Sequence, residues 1–277
     1  MPSVLRCGNR SLALARPLIM GIVNVTPDSF SDGGLYAGKN SAVTHARALL
    51  DEGADILDIG GESTRPGAAS VSPDEERRRV LPVIEALADC GAMVSVDTQK
   101  PEIMKDAIAA GASMVNDVNA LLAPGALEIV APSGVAICLM HKRGDPRTMQ
   151  DDPRYDDVVG EVRSFLAERV AAARAAGIGA ERIVIDPGFG FGKTLEHNLV
   201  LLQRLAEFTG LGVAVLAGLS RKSTLGRITG RGTGLRVHAG VAAALIAVQN
   251  GASIIRTHDV AATRDALAVW NAVRQAR

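Results

Sequence analysis

Glu52 to Gly61 reads EGADILDIGG, and the phrase returns as CGAMVSVDT from Cys90, AGASMVND from Ala110 and NGASIIRTHD from Asn250. Each copy follows an amphipathic stretch, breaks at a glycine, continues as a short apolar run rich in β-branched residues and ends on polar groups. Gly53, Gly91, Gly111 and Gly251 stand where a helix should stop, because glycine enters the left-handed region at little cost. Runs this short and this continuously apolar are the pattern of parallel strands buried on both faces. Similar runs occur at Leu18 to Val23, Val135 to Met140, Ile183 to Ile185 and Val213 to Leu216. Helical stretches between them are expected over Ser41 to Glu52, Pro73 to Ala88, Pro101 to Ala110, Tyr155 to Ala176 and Leu195 to Phe208. Another, Leu235 to Asn250, is rich in small residues and nearly free of charge after Arg236, which suits a buried or subunit-facing helix. Eight β/α units in roughly 250 residues predict a closed (β/α)8 barrel rather than an open sheet. With no Pro/Ser-rich linker, residues 1–277 read as one domain.

Two local readings accompany that frame. Ser72-Pro73-Asp74-Glu75 has the form of a capping box with proline at the first helical position. The run Glu75-Glu76-Arg77-Arg78-Arg79 that follows reads as a solvated helix face.

The 277 residues are 47% hydrophobic and 22% charged, with 30 basic residues balancing 30 acidic ones. No global basic field favours nucleic acid. The longest apolar stretch, Val241 to Val248, falls short of the roughly 18 residues that a membrane span needs. Cys7, Cys90 and Cys138 lie far apart without metal-ligand spacing, and they read as reduced, mostly buried thiols in a cytoplasmic protein. The N-terminus has no apolar segment of signal-peptide type. His45, His197 and His238 read as surface or helix histidines.

Parallel α/β folds gather functional groups where their strands end. Read in order, the strand ends carry Asn24, Asp58, Asp97, Asn116, His141, Asp186, the Ser220-Arg221-Lys222 segment, and Arg256 with His258. Asp97, Asn116 and Asp186 could form an acidic floor for a flat heterocycle, since a carboxylate accepts paired hydrogen bonds from an amidine-like edge. Arg256 and His258 are two apart on a strand and share a face, so with Lys222 and Arg65 they would make an anion-binding rim. The segment DPGFGFGK, Asp186 to Lys193, combines backbone access at its glycines with two phenylalanines in a chain only 3% aromatic. Two long polar connections, Asn24 to Asn40 and Gly60 to Ser72, have the length of functional loops.

Those residues resemble the dihydropteroate synthases. MGIVNVTPDSFSDGG (Met20 to Gly34) and DIGGESTRPGA (Asp58 to Ala68) are similar to that family's two signature loops. SVDT, Asn116-Asp117, DPGFGFGK, SRKS (Ser220 to Ser223) and the Arg256-to-Asp259 segment match its later motifs in order. The resemblance spans Met20 to about Ala266. It implies condensation of 6-hydroxymethyl-7,8-dihydropterin diphosphate with p-aminobenzoate, giving 7,8-dihydropteroate and pyrophosphate. It further implies that Asp97, Asn116, Asp186 and Lys222 hold the pterin, with Met140 as an apolar wall and Gly218 beside them. Asn24, Arg256 and His258 would take the diphosphate, with Asn24 on Mg2+. Thr64, Arg65, Pro66, Phe191, Ser220 and Lys222 would take p-aminobenzoate. Asp97, Lys222, Arg256 and His258 are the implied catalytic set. The family is usually homodimeric and is the target of sulfonamides, which imitate p-aminobenzoate.

Gln99, Lys142-Arg143 and Thr257 depart from the usual pattern without touching the residues carried over. A methyltetrahydrofolate methyltransferase of the same barrel type would share the acidic floor but needs no diphosphate site. A Schiff-base aldolase acting through Lys222 and a pterin-binding paralogue without activity are the other readings. The filled motif positions argue against the last.

Overall fold

The computed structural model describes residues 2–25, 34–63, 70–145 and 148–276. A hairpin comes first, β1 (Val4–Cys7) against β2 (Arg10–Ala13). Then β3 (Leu18–Asn24) opens an alternation of strands and helices: α1 (Gly34–Asp51), β4 (Ile56–Gly60), α2 (Pro73–Leu87), β5 (Met93–Asp97), α3 (Pro101–Ala109), β6 (Met114–Asp117), α4 (Ala126–Val130) and β7 (Ala136–Met140). The second half continues with α5 (Val158–Ala175), β8 (Ile183–Asp186), α6 (Leu195–Gln203), β9 (Ala214–Ala217), α7 (Ser223–Thr229), α8 (Val237–Gln249), β10 (Ile254–Thr257) and α9 (Val260–Gln275). Strands β3 to β10 pair in sequence, all parallel, and β10 closes on β3. This is the expected (β/α)8 barrel.

Strand alternation sorts the side chains into two layers. Ile19, Leu57, Val94, Val115 and Ile137 point outward into the core beneath the helices. Leu18, Met20, Ile56, Met93, Met114 and Val184 point inward and fill the barrel's lower half. The hairpin, which the sequence reading did not anticipate, seals that end: Leu5 and Cys7 pack into the inner cluster, and Gly8 N donates to Gly134 O at 2.9 Å. Its turn is at Gly8, φ +64°.

Several boundaries move. The first helix starts at Gly34, seven residues before Ser41, so the first connection is shorter than expected. The stretch expected as one helix to Phe208 is α6 followed by a 3-10 segment, Leu205–Leu211. Ser72 caps α2 by accepting from Glu75 N at 3.3 Å, whereas the Glu75 side chain turns to Arg78 and Arg79. The reciprocal box sits at Thr194 and His197 on α6.

The Glu75–Arg79 run is not simply a solvated face. Glu76 is buried and ion-paired with Lys100, and Arg79 donates to Gly61 O at 2.8 Å. These contacts tie α2 to the exit of β4. Of the three cysteines, Cys7 and Cys138 are buried and Cys90 is partly exposed, all as free thiols. No helix among the described residues is long and apolar enough to cross a membrane.

Candidate active site

The acidic floor exists, and its deepest member was misplaced by the sequence reading. Asp58 stands in the middle of β4, not at its end, and shares inward parity with Ile56. It is 0% exposed. Asn116 Nδ2 donates to Asp58 Oδ2 at 3.0 Å, and Arg256 Nε donates to the same oxygen at 2.6 Å. Arg256 Nη2 reaches Asp97 Oδ2 at 2.7 Å. One guanidinium from β10 thus holds carboxylates from β4 and β5, which closure of the barrel brings across its axis. A planar fork suits this double contact better than a lysine could.

Burial and charge set the protonation of this group. Desolvation pushes Asp97 up to about 7; the Arg256 charge pulls it down, and Asp58 pushes it further up. Burial works against ionisation of Arg256, yet Asp58 and Asp97 together hold it above its ordinary value. Asp58 Oδ1, Asp97 Oδ1 and Ser95 Oγ are buried and have no hydrogen-bond partner among the described residues. Buried acceptors without protein donors are rare in a settled core. Here they face the mouth of a barrel, where an N–H-rich ligand would satisfy them.

Asp186 ends β8 and accepts from Gly188 N at 2.7 Å through Oδ1. Burial raises its pKa, while Lys222 draws it down. A Cβ placed on Gly218 would lie 3.8 Å from Arg256 Cβ and 3.9 Å from Asp186 Oδ2. Asp186 and Arg256 therefore border the same small space, with Gly218 between them. Met140, last residue of β7, pairs in register with Asp186 and is buried beside it.

Lys222 follows the turn after β9. Its Nζ donates to Phe189 O and lies 4.7 Å from the centroid of the Phe191 ring. Burial lowers its pKa to about 8, with Asp186 opposing the drop. Arg221 holds φ +58° and is tied to Asp259 at 2.5 Å, which fixes the turn that aims Lys222. Ser220 Oγ lies 3.1 Å from His258 Nδ1 and accepts from His258 N at 3.1 Å. Asn24 ends β3 with the inward parity of Leu18 and Met20.

Of the residues expected in the site, Asp97, Asn116, Asp186, Gly218 and Arg256 cluster directly, joined by Asp58. Met140, Phe191 and Lys222 border them, and Ser220 and His258 pair beside the rim. Thr64, Arg65 and Pro66 lie outside the described residues. The sequence reading gave no role to Asp58, whose parity with Ile56 was the available signal. It named His141 and Lys193 without giving either a role, and the two are buried together 3.0 Å apart. Gln99 and Lys142, noted only as departures, meet at 3.1 Å across the ends of β5 and β7. Among the described residues no three His, Cys, Asp or Glu groups converge as a metal cluster.

Residues 20–258 match the family model described as pterin binding enzyme. The dihydropteroate synthase of Escherichia coli K12 is 49% identical over 268 residues, 96% of this chain and 95% of that protein. The Xanthomonas albilineans dihydropteroate synthase solved with 4-aminobenzoic acid superposes with a TM-score of 0.94 at 55% identity, covering all of both chains. The same enzyme has been solved with 7,8-dihydropteroate, at a TM-score of 0.91 and 53% identity over 99% of this chain and 100% of that one. The Yersinia pestis dihydropteroate synthase in a sulfonamide complex gives 0.93 and 46% over 99% and 100%.

Proposed function

The chain belongs to the pterin-binding enzyme family, and from that premise we propose how its barrel mouth performs the dihydropteroate synthase reaction. It is a transferase that joins 6-hydroxymethyl-7,8-dihydropterin diphosphate to p-aminobenzoate and releases pyrophosphate. The observation that carries the assignment of residues is the Asp58–Arg256–Asp97 bridge, with unpartnered buried acceptors on both carboxylates. The pterin edge donates N–H groups to Asp97 and Asp186, Asn116 supplies both donor and acceptor, and Met140 packs against the ring.

Arg256 spends only part of its N–H fork on Asp58 and Asp97, and the rest can meet the diphosphate together with His258. Mg2+ suits this site, because it is commonly held by one or two protein oxygens plus substrate phosphates, and the Asn24 side chain offers such an oxygen at the rim. When bound it would help neutralise the leaving group. Cleavage of the C–O bond leaves positive charge delocalised over the pterin methylene and ring, and ionised Asp97 stabilises that charge. The arylamine nitrogen is neutral near pH 7, so it attacks without a general base. Phe191 and Lys222 flank the aromatic amine with Ser220 nearby, and parts for Thr64, Arg65 and Pro66 rest on the sequence resemblance alone.

A homodimer through α7, α8 and the 3-10 turn between them fits the apolar side chains exposed there: Ile228, Leu235 and Ile246. The free thiols fit a reducing, cytoplasmic setting. Purified protein incubated with the pterin diphosphate, p-aminobenzoate and Mg2+ should release pyrophosphate and dihydropteroate in equal amounts. A sulfonamide should raise the apparent KM for p-aminobenzoate. Pyrophosphate release that does not depend on the amine, with no pteroate formed, would overturn the assignment.

A further inference from the structure

The loop from Pro187 to Thr194 is gripped by two lysines from opposite sides. From the mouth, Lys222 Nζ donates to Phe189 O and sits over the Phe191 ring. From behind, Lys193 is 3% exposed and directs Nζ to Gly188 O at 2.9 Å, Phe191 O at 3.0 Å and His141 Nδ1 at 3.0 Å. His141 O, at 3.4 Å, is a fourth acceptor, so every proton on Nζ has a partner. The intervening amide, Gly190 N, donates to Asn198 Oδ1 at 2.7 Å.

The backbone has little room to slide. Gly188, Gly190 and Gly192 all adopt positive φ. A Cβ on Gly188 would collide with His141 O, and one on Gly192 with Arg143 O. The loop is therefore pressed against the exit of β7, and Lys193 sits between the two. Burying an ammonium is costly unless every proton is used. An apolar residue would fill the volume more cheaply. What a lysine adds is a fixed direction for the carbonyls it binds.

We propose that Lys193 is a positioning residue for the arylamine half of the reaction. By holding Gly188 O and Phe191 O from behind, it keeps Phe189 O turned to Lys222 and the Phe191 ring beneath the same ammonium. The inference rests on reading Phe191 and Lys222 as the wall of the p-aminobenzoate site. It predicts a larger effect on the arylamine than on the pterin: the hydrogen bonds joining Asn116, Asp58, Arg256 and Asp97 do not pass through Lys193, and of the pterin residues Asp186 meets the loop, through Gly188 N.

The test is a double-mutant cycle of Lys193→Met and Phe191→Ala, with KM measured for each substrate. A displaced reacting partner is worth roughly tenfold to a hundredfold, so Lys193→Met should raise KM for p-aminobenzoate by about tenfold. KM for the pterin diphosphate should change by much less. The double variant should be little worse than the poorer single one, as expected of residues acting as a unit. Equal loss toward both substrates, an unchanged arylamine KM or additive effects would overturn the inference. Should Phe191→Ala leave the arylamine KM unchanged, the reading of the wall fails and the inference falls with it. An effective Phe191→Ala beside a silent Lys193→Met defeats the inference alone. If Lys193→Met does not fold, Asn198→Ala loosens the same loop at Gly190 and is judged by the same selectivity.

Discussion

Replacing Arg256 by methionine should destabilise the chain by an amount that a second substitution largely restores. Asp58 is fully buried, and Arg256 is the cation that donates to it, with Asn116 as a further donor. Removing the guanidinium leaves the Asp58 carboxyl buried without its counter-charge, and breaking a buried pair in this way costs roughly 3–5 kcal/mol. Asp97 loses the same partner but adds less, because burial already raises it to about 7 in the parent. Urea denaturation followed by circular dichroism should show the midpoint falling accordingly, with the slope unchanged. Adding Asp58→Asn removes the stranded carboxyl and should recover a large part of the deficit, a coupling of up to roughly 3 kcal/mol. A double variant whose deficit equals the sum of the two single ones would refute the view that Arg256 balances a buried charge.

Four other perturbations separate the parts of the site. With Lys222 lowered to about 8 by burial, kcat/KM should decline above that pH as the ammonium is lost, and Lys222→Arg should move the decline to higher pH; a decline left in place assigns it to another group. Gly188→Ala should lower the melting temperature sharply, because φ is +71° and the new methyl would strike His141 O. Gly218→Ala should fold normally, its methyl in ordinary contact with Arg256 and Asp186, yet weaken pterin binding in calorimetry. Asn24→Ala should raise the Mg2+ concentration giving half-maximal rate and leave melting nearly unchanged. An identical Mg2+ titration would remove Asn24 from the metal.

The barrel was legible because its cause is local. Apart from β3, each barrel strand is an apolar run that follows a positive-φ glycine, and parallel closure follows from repetition. The hairpin at the barrel's lower end had only two buried residues, Leu5 and Cys7, within strands of four. That is too little periodicity to announce itself, although the turn at Gly8 was visible. Glu76 shows the opposite difficulty. Its neighbours Glu75 and Arg78 are charged too and keep contact with solvent, and only the packing of α2 singles Glu76 out for burial against Lys100. Charge in a sequence does not say which way it points until the helix has a neighbour.

The same reasoning explains why most of the site was legible while its centre was not. Asp97 and Asp186 end their strands, where polar residues attract attention, whereas Asp58 sits within ILDIG and looks like an interruption of an apolar run. Inward parity with Ile56 places it inside the barrel, and an isolated carboxylate cannot stay ionised there. A partner must then come from another strand, and Arg256, with inward parity beside Ile254, is able to cross the lumen. The bridge between them spans 198 positions of sequence and depends on the barrel being closed. Site assembly therefore depends on closure: Arg256 reaches Asp58 and Asp97 when β10 is docked on β3. A chain whose last β/α unit is undocked would hold two buried acids and no guanidinium, which makes closure both the step that relieves electrostatic cost and the step that creates the pterin site.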